Sequence, residues 1–142
     1  MANYERTART NYFRVKDREK FIDFAKHLKS ESGNVRVTMR DEPGKEWRFA
    51  LGCDGGIDGL FIHEDDDPEE AYELFLAGLQ NHIAEDDAVI ILEVGNENLK
   101  YVTGLATIVT SKAIEYLDLT EIAKRRAAKM LGNPDWTTEC DY

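Results

Sequence analysis

The densest chemical signal in this chain is a run of carboxylates. Glu64, Asp65, Asp66, Asp67, Glu69 and Glu70 place six acids in seven residues, and Glu85, Asp86 and Asp87 follow as a second group. No Lys or Arg occurs between Arg48 and Lys100, so nothing near them in sequence neutralises these charges. Like charges this close repel one another within the roughly 8 Å over which physiological salt screens. Two uses fit: a solubilising loop running into a helix N-terminus, where the macrodipole favours negative charge, or a surface that docks a basic protein. A second constellation is cationic. Tyr12, Arg14, Arg36, Thr38, Arg40 and Arg48 sit at alternate positions of extended segments, which brings four arginines, a tyrosine and a threonine to one side of a sheet. Guanidinium forks suit phosphate and carboxylate groups, and a sheet face of this kind can hold a small anion or a single strand of nucleic acid. A formal net charge of −10 and the absence of aromatic RNP patterns argue against direct nucleic-acid binding.

Other chemistries fail on residue type or spacing. Asp54, Asp58 and Gly59 match positions 1, 5 and 6 of a calcium loop with Asp65 at position 12. Position 3 is Gly56, however, the last ligand is Asp rather than a bidentate Glu, and the flanks read as strands. His27, His63 and His82 show no paired spacing for zinc, and His63 beside Glu64 and Asp65 is the nearest approach to a ligand set. There is no Gly-Lys-Ser/Thr phosphate loop. Serines occur only at Ser30, Ser32 and Ser111, without an elbow motif, and neither Cys53 nor Cys140 has a histidine beside it in sequence. No metal, no cofactor and no catalytic residue is expected, and the protein reads as a non-enzyme.

The elements that must position these groups follow from periodicity. Phe13 and Val15 alternate with Tyr12 and Arg14, predicting a strand over 10–15. Phe21, Phe24, Ala25 and Leu28 form one helical stripe on a segment over 17–29. Val35, Val37 and Met39, then Trp47, Phe49, Leu51 and Cys53, flank an Asp41-Glu42-Pro43-Gly44 turn and predict a hairpin. A short strand over 57–62 follows. Asp67, Pro68 and Glu70 spell N-cap, first helical position and capping-box partner, and Tyr72, Phe75, Leu76, Leu79 and Ile83 are the stripe of the helix they start. The β-branched and Leu run 88–94, broken only by Glu93, suits a central strand covered on both faces. Gly95 to Asn98 predicts a turn into a long strand over 99–110, with a bulge at Gly104, and a strand over 113–117 comes next. A last helix over 119–131 is capped by Asp118 or Thr120 and stopped by Gly132, with Leu119, Ile122, Ala123, Ala127 and Met130 on its buried face. A short tail, 135–142, completes the chain.

The order β-α-β-β-α-β-β-β-α predicts an α+β fold: a mainly antiparallel sheet with three helices packed largely on one face and a ferredoxin-like start. At 142 residues, 42% apolar, 32% charged and with 3 Pro, residues 1–142 read as one globular domain. Two cysteines far apart suit a reducing compartment. With no long apolar segment, no membrane partner is expected and the expected location is the cytoplasm. Charge is segregated: residues 1–50 carry 12 basic and 8 acidic side chains, 51–100 carry 1 and 14, and 101–142 carry 5 and 6. Lys124, Arg125, Arg126 and Lys129 on the last helix could meet the acidic middle of a second copy, which predicts a homo-oligomer.

Arg9-Thr10-Asn11-Tyr12-Phe13-Arg14-Val15-Lys16-Asp17 near the start, and Ile114-Glu115-Tyr116-Leu117-Asp118-Leu119 with Leu131-Gly132-Asn133-Pro134-Asp135-Trp136-Thr137-Thr138 near the end, resemble small acidic proteins carried on conjugative elements and phages of Gram-positive bacteria. That group has no assigned activity, so the resemblance implies a mobile-DNA context and no mechanism. The resulting expectation is an accessory protein whose acids at 64–70 and 85–87 bind a basic protein surface, as an inhibitor or regulator that mimics nucleic acid. The alternative is a small-molecule or nucleic-acid binder using Tyr12, Arg14, Arg36, Arg40 and Arg48.

Overall fold

The computed structural model describes residues 5–63, 65–97 and 101–139, with Tyr101 described by its backbone. In chain order the elements are β1 (Glu5–Thr10), α1 (Arg18–Ala25), β2 (Leu28–Ser30), β3 (Gly33–Asn34), β4 (Arg36–Arg40), β5 (Arg48–Asp54), β6 (Ile57–Leu60), α2 (Pro68–His82), β7 (Val89–Glu97), β8 (Tyr101–Val109), β9 (Ile114–Asp118) and α3 (Leu119–Leu131). The class is α+β. A six-stranded sheet runs β4-β5-β1-β7-β8-β9, a small one runs β3-β2-β6, and every pairing is antiparallel. No described helix is long and apolar enough to cross a membrane.

One face of the large sheet is buried. Ala8 and Thr10 of β1, Phe49 and Leu51 of β5, Val89 and Ile91 of β7 and Val109 of β8 meet Phe21, Phe24 and Ala25 of α1, Phe75, Leu76 and Leu79 of α2, and Leu28 and Ile57 of the small sheet. Phe21 is the hub. Its ring lies 5.5 Å from Phe13, edge-on, 4.9 Å from Phe49, and 6.0 Å from both Phe24 and His82. Pairs of this geometry add about 0.5–1.5 kcal/mol each beyond the area they bury. The small sheet can press onto α2 because Gly59 has no side chain: a Cβ there would lie 2.3 Å from the carbonyl carbon of Ala71.

Local signals located the β4–β5 hairpin and the two later helices well. The hairpin β4–β5 forms with Met39 opposite Phe49 and Arg40 opposite Arg48. Asp67 caps α2, its carboxylate accepting from the Glu69 N–H at 2.9 Å, with Pro68 in the first turn. Asp118 caps α3 by accepting from Thr120 at 3.0 Å, and Gly132 ends it in the left-handed conformation at φ 66°.

Elsewhere the chain departs from expectation. The first strand ends at Thr10 instead of starting there, because side chains take over the ladder beyond it. The Thr10 hydroxyl accepts from Leu51 N–H at 2.9 Å, and the Asn11 amide accepts from Ile90 N–H at 2.7 Å while donating to the Ala88 carbonyl at 3.0 Å. Phe13 and Val15 then make isolated bridges to Phe49 and Ile83. Helix α1 stops at Ala25, and the chain turns into β2, so Leu28 reaches the core from a strand. Strand β7 is covered on one face only: Val89 and Ile91 are buried, whereas Ile90, Leu92 and Val94 are 38%, 47% and 58% exposed. Strand β7 also runs through Gly95 to Glu97, which puts the turn at 98–100, outside the described residues. Gly104 is no bulge, since the β7–β8 register is unbroken from Val89 opposite Val109 to Glu97 opposite Tyr101. A Cβ at Gly104 would lie 3.1 Å from Leu119, so its missing side chain leaves room for the start of α3. By the pleat, Gly104 lies on the reverse face with Val94 and Val102. Hence α1 and α2 cover one face and α3 begins on the other. The stripe expected to bury α3 does not: Leu119 and Met130 are 64% and 87% exposed, Ala123 is exposed, and Ala128 is the buried residue of the helix.

Two measurements probe this core. At Gly59, φ is +141°, so Gly59→Ala adds backbone strain to the clash with Ala71 and should cost about 3 kcal/mol or more in urea unfolding. Gly44→Ala, also at positive φ but in open space, should cost about 1–2 kcal/mol. His82 packs against Phe24 at 4.8 Å, and burial lowers its pKa from the ordinary 6.5. Below that pH the unfolded chain takes up a proton that the folded chain resists, so stability is complete above pH 6.5 and declines as the pH falls through it. The urea midpoint should drop between about pH 7 and 5.5, and His82→Gln should drop less over the same range.

Candidate functional site

The reverse face of the large sheet is the functional candidate, and the strand register builds it. One row across six strands reads Arg36, Gly52, Arg9, Leu92, Ala106, Leu117, each directly opposite the next. Strands lie about 4.8 Å apart, so Arg36 and Arg9 flank Gly52 with their Cα atoms about 10 Å from one another. Ala50 and Gly52 form a low floor between them. The cleft over this floor has a volume of about 350 Å³, walled by Thr7, Arg9, Tyr12, Arg36 and Thr38, with Ser32, Asn34 and one carboxylate, the exposed Asp54 opposite Thr7, also lining it. Arg40 lies across the Tyr12 ring at 4.5 Å and pairs with Glu42 at 3.3 Å. Arg48 lies opposite Arg40 on the same face.

Of the residues expected on this face, Tyr12, Arg36, Thr38, Arg40 and Arg48 arrive there. Arg14 does not. It is held by Asp86 at 2.8 Å, Glu46 at 3.0 Å and Asp87 at 3.5 Å, which raise its pKa further and occupy its donors. Arg9 belongs to the cleft and was missed, because the strand over 10–15 was placed too late. The alternation of Thr7 and Arg9 with Ala8 and Thr10 was the available signal.

The acids are dispersed. Asp65–Glu70 and Glu85–Asp87 lie at opposite ends of α2, whose 15 residues span about 22 Å. Asp66 accepts from the Ile62 and His63 N–H groups at 2.8 and 2.9 Å, which holds its carboxyl below the usual range. Asp67 is the helix cap. Asp87 accepts from the N–H groups of Arg14 and Ala88, and Asp86 pairs with Arg14. Asp65, Glu69, Glu70 and Glu85 are exposed, and Glu64 lies outside the described residues.

The remaining chemistry is sparse. Burial pushes the half-buried Cys53 thiol up, away from a reactive thiolate, and Cys140 lies outside the described residues. No group of three or more His, Cys, Asp or Glu among the described residues could hold a metal. A cleft of about 450 Å³ beside α2 holds Tyr72, Glu93 and Tyr116, and its lining contains no Ser, Cys or His. Burial raises the Tyr72 phenol, which keeps it protonated.

No family model matches the chain, and no curated protein or solved structure matches it.

Arg14→Gln should leave Asp86 and Asp87 crowded beside Glu46 and lower the urea midpoint. The loss should be larger at low salt than at high salt, because removing the cation leaves carboxylate repulsion that salt screens.

Proposed function

We propose that the protein is a non-catalytic binding protein that takes a phosphate- or carboxylate-bearing small molecule between Arg9 and Arg36. One observation carries this reading. In a chain with 28 acidic and 18 basic side chains, these two arginines, like Arg18, Arg48, Arg125 and Arg126, make no ion pair with any described carboxylate, and of these six they are the two that line one cleft. Its floor is Ala50 and Gly52. Two guanidinium forks from different strands can grip one anionic group from both sides, and the hydroxyls of Thr7, Ser32 and Thr38 supply further donors. Calorimetric titration at low salt with inorganic phosphate, phosphometabolites and short oligonucleotides tests it. Binding should weaken with salt, and Arg9→Gln or Arg36→Gln should each lower affinity about tenfold or more, in line with a lost charge-assisted hydrogen bond. Arg14→Gln should bind as wild type. Absence of any saturable binding at low salt rejects the reading.

A second reading keeps the expected basic partner in the implied mobile-element setting. The exposure of Asp65, Glu69 and Glu70, with no ion pair to any of them among the described residues, favours it. Reversing these three to Lys should release a captured basic protein. Retention of the partner by that variant removes this reading.

A further inference from the structure

The anion cleft does not end at Arg9. A second hollow, about 580 Å³ in volume, opens on the same face between β1, β7, β8 and the start of α3. Val94, Val102, Gly104 and Leu119 surround it, and Thr7 lines both it and the arginine cleft. The register gives the same adjacency: Thr7 is opposite Val94, Val94 is opposite Gly104, and Arg9, two residues along β1, is opposite Leu92. Val94, Val102 and Leu119 are 58%, 58% and 64% exposed around a floor without a side chain. Exposed apolar groups gathered in a concavity mark a place where something apolar is bound. An inorganic anion held by Arg9 and Arg36 would leave this hollow unused. The arginine cleft sets Arg9 and Arg36 against Asp54, and the hollow sets Glu5 beside Arg6, so the excess positive charge lies at the arginine end and would orient a charged guest with its anion there.

We infer that the ligand is an amphipathic anion, with its phosphate or carboxylate between Arg9 and Arg36 and an alkyl-like body lying past Thr7 into the hollow walled by Val94, Val102 and Leu119. The inference rests on the proposed anion site and specifies the ligand class for it. Charge complementarity in line with the hollow favours this occupant over a second copy of the chain, which would have to bring its own carboxylate to the same two arginines.

Octyl phosphate, inorganic phosphate and octyltrimethylammonium, each titrated calorimetrically below any micelle-forming concentration, separate the possibilities. Octyl phosphate should bind at least tenfold more tightly than inorganic phosphate, as burial of several methylenes requires, and the cationic amphiphile should not bind. Val94→Thr with Val102→Thr keeps β-branched side chains in both strands. It should bring the two phosphates to within about threefold of one another, with inorganic phosphate binding unchanged. Equal affinity of the two phosphates for the wild-type chain overturns the inference and leaves the arginine site standing. Failure of both to bind overturns the site as well. Gel filtration showing a dimer that the Val94→Thr, Val102→Thr variant dissociates, with no preference for octyl phosphate, assigns the hollow to a second copy and also overturns it.

Discussion

One-sided burial of the large sheet organises this molecule. The cluster of Phe13, Phe21, Phe49 and His82 fixes α1 and the end of α2 to the strands, and each large apolar side chain buried there contributes about 1.5–3 kcal/mol. Because α1, α2 and the small sheet all sit on that face, the other face is free to carry charge. Arginine on a sheet surface is affordable where its head group remains in water. Had a second layer covered the sheet, Arg9 and Arg36 would each have needed a buried partner, with the desolvation cost that this brings.

Charge segregation along the sequence becomes something different in space. The acids after α2 curl back to Arg14 and stitch three distant segments together, at residues 14, 46 and 86–87. Those before α2 serve its N-terminus, with Asp66 binding two backbone N–H groups and Asp67 capping the helix. Much of the acidic run is therefore turn and cap chemistry that also leaves some charge outward. On the reverse face Arg40 pairs with Glu42, whereas Arg9 and Arg36 make no ion pair with any described carboxylate.

How much could be foreseen depended on whether the signal was local. Asp67-Pro68, Asp118 and Gly132 are short-range stereochemical signals, and the helices they bound came out where they pointed. The β4–β5 hairpin was equally legible, and with it the common side of Arg36, Arg40 and Arg48. Strand β1 was not legible. Its buried residues are the small Ala8 and Thr10, so apolar alternation is nearly silent, and Arg9 was lost with it. The withdrawal of Arg14 depends on residues more than seventy positions away. The reading of β7 failed for another reason: a run of Val, Ile and Leu has the same periodicity whether one or two layers cover it. The layer count is a tertiary fact, and the exposure of Leu92 and Val94 follows from it.

Strand β1 lies near the middle of the sheet, yet its partners are late in the chain. It pairs with β7 from Glu5 opposite Asn96 to Thr10 opposite Ile91. During synthesis at about 5–20 residues per second, roughly 5–20 s elapse before those partners have been made. Although translated before every other described strand, β1 is thus among the last to complete its ladder, and contacts so distant in sequence slow folding. Its composition suits the wait. Glu5, Arg6, Thr7 and Arg9 keep the nascent segment hydrated and resistant to pairing with other chains, so the same polarity that hid this strand from pattern reading protects it until the sheet can close around it.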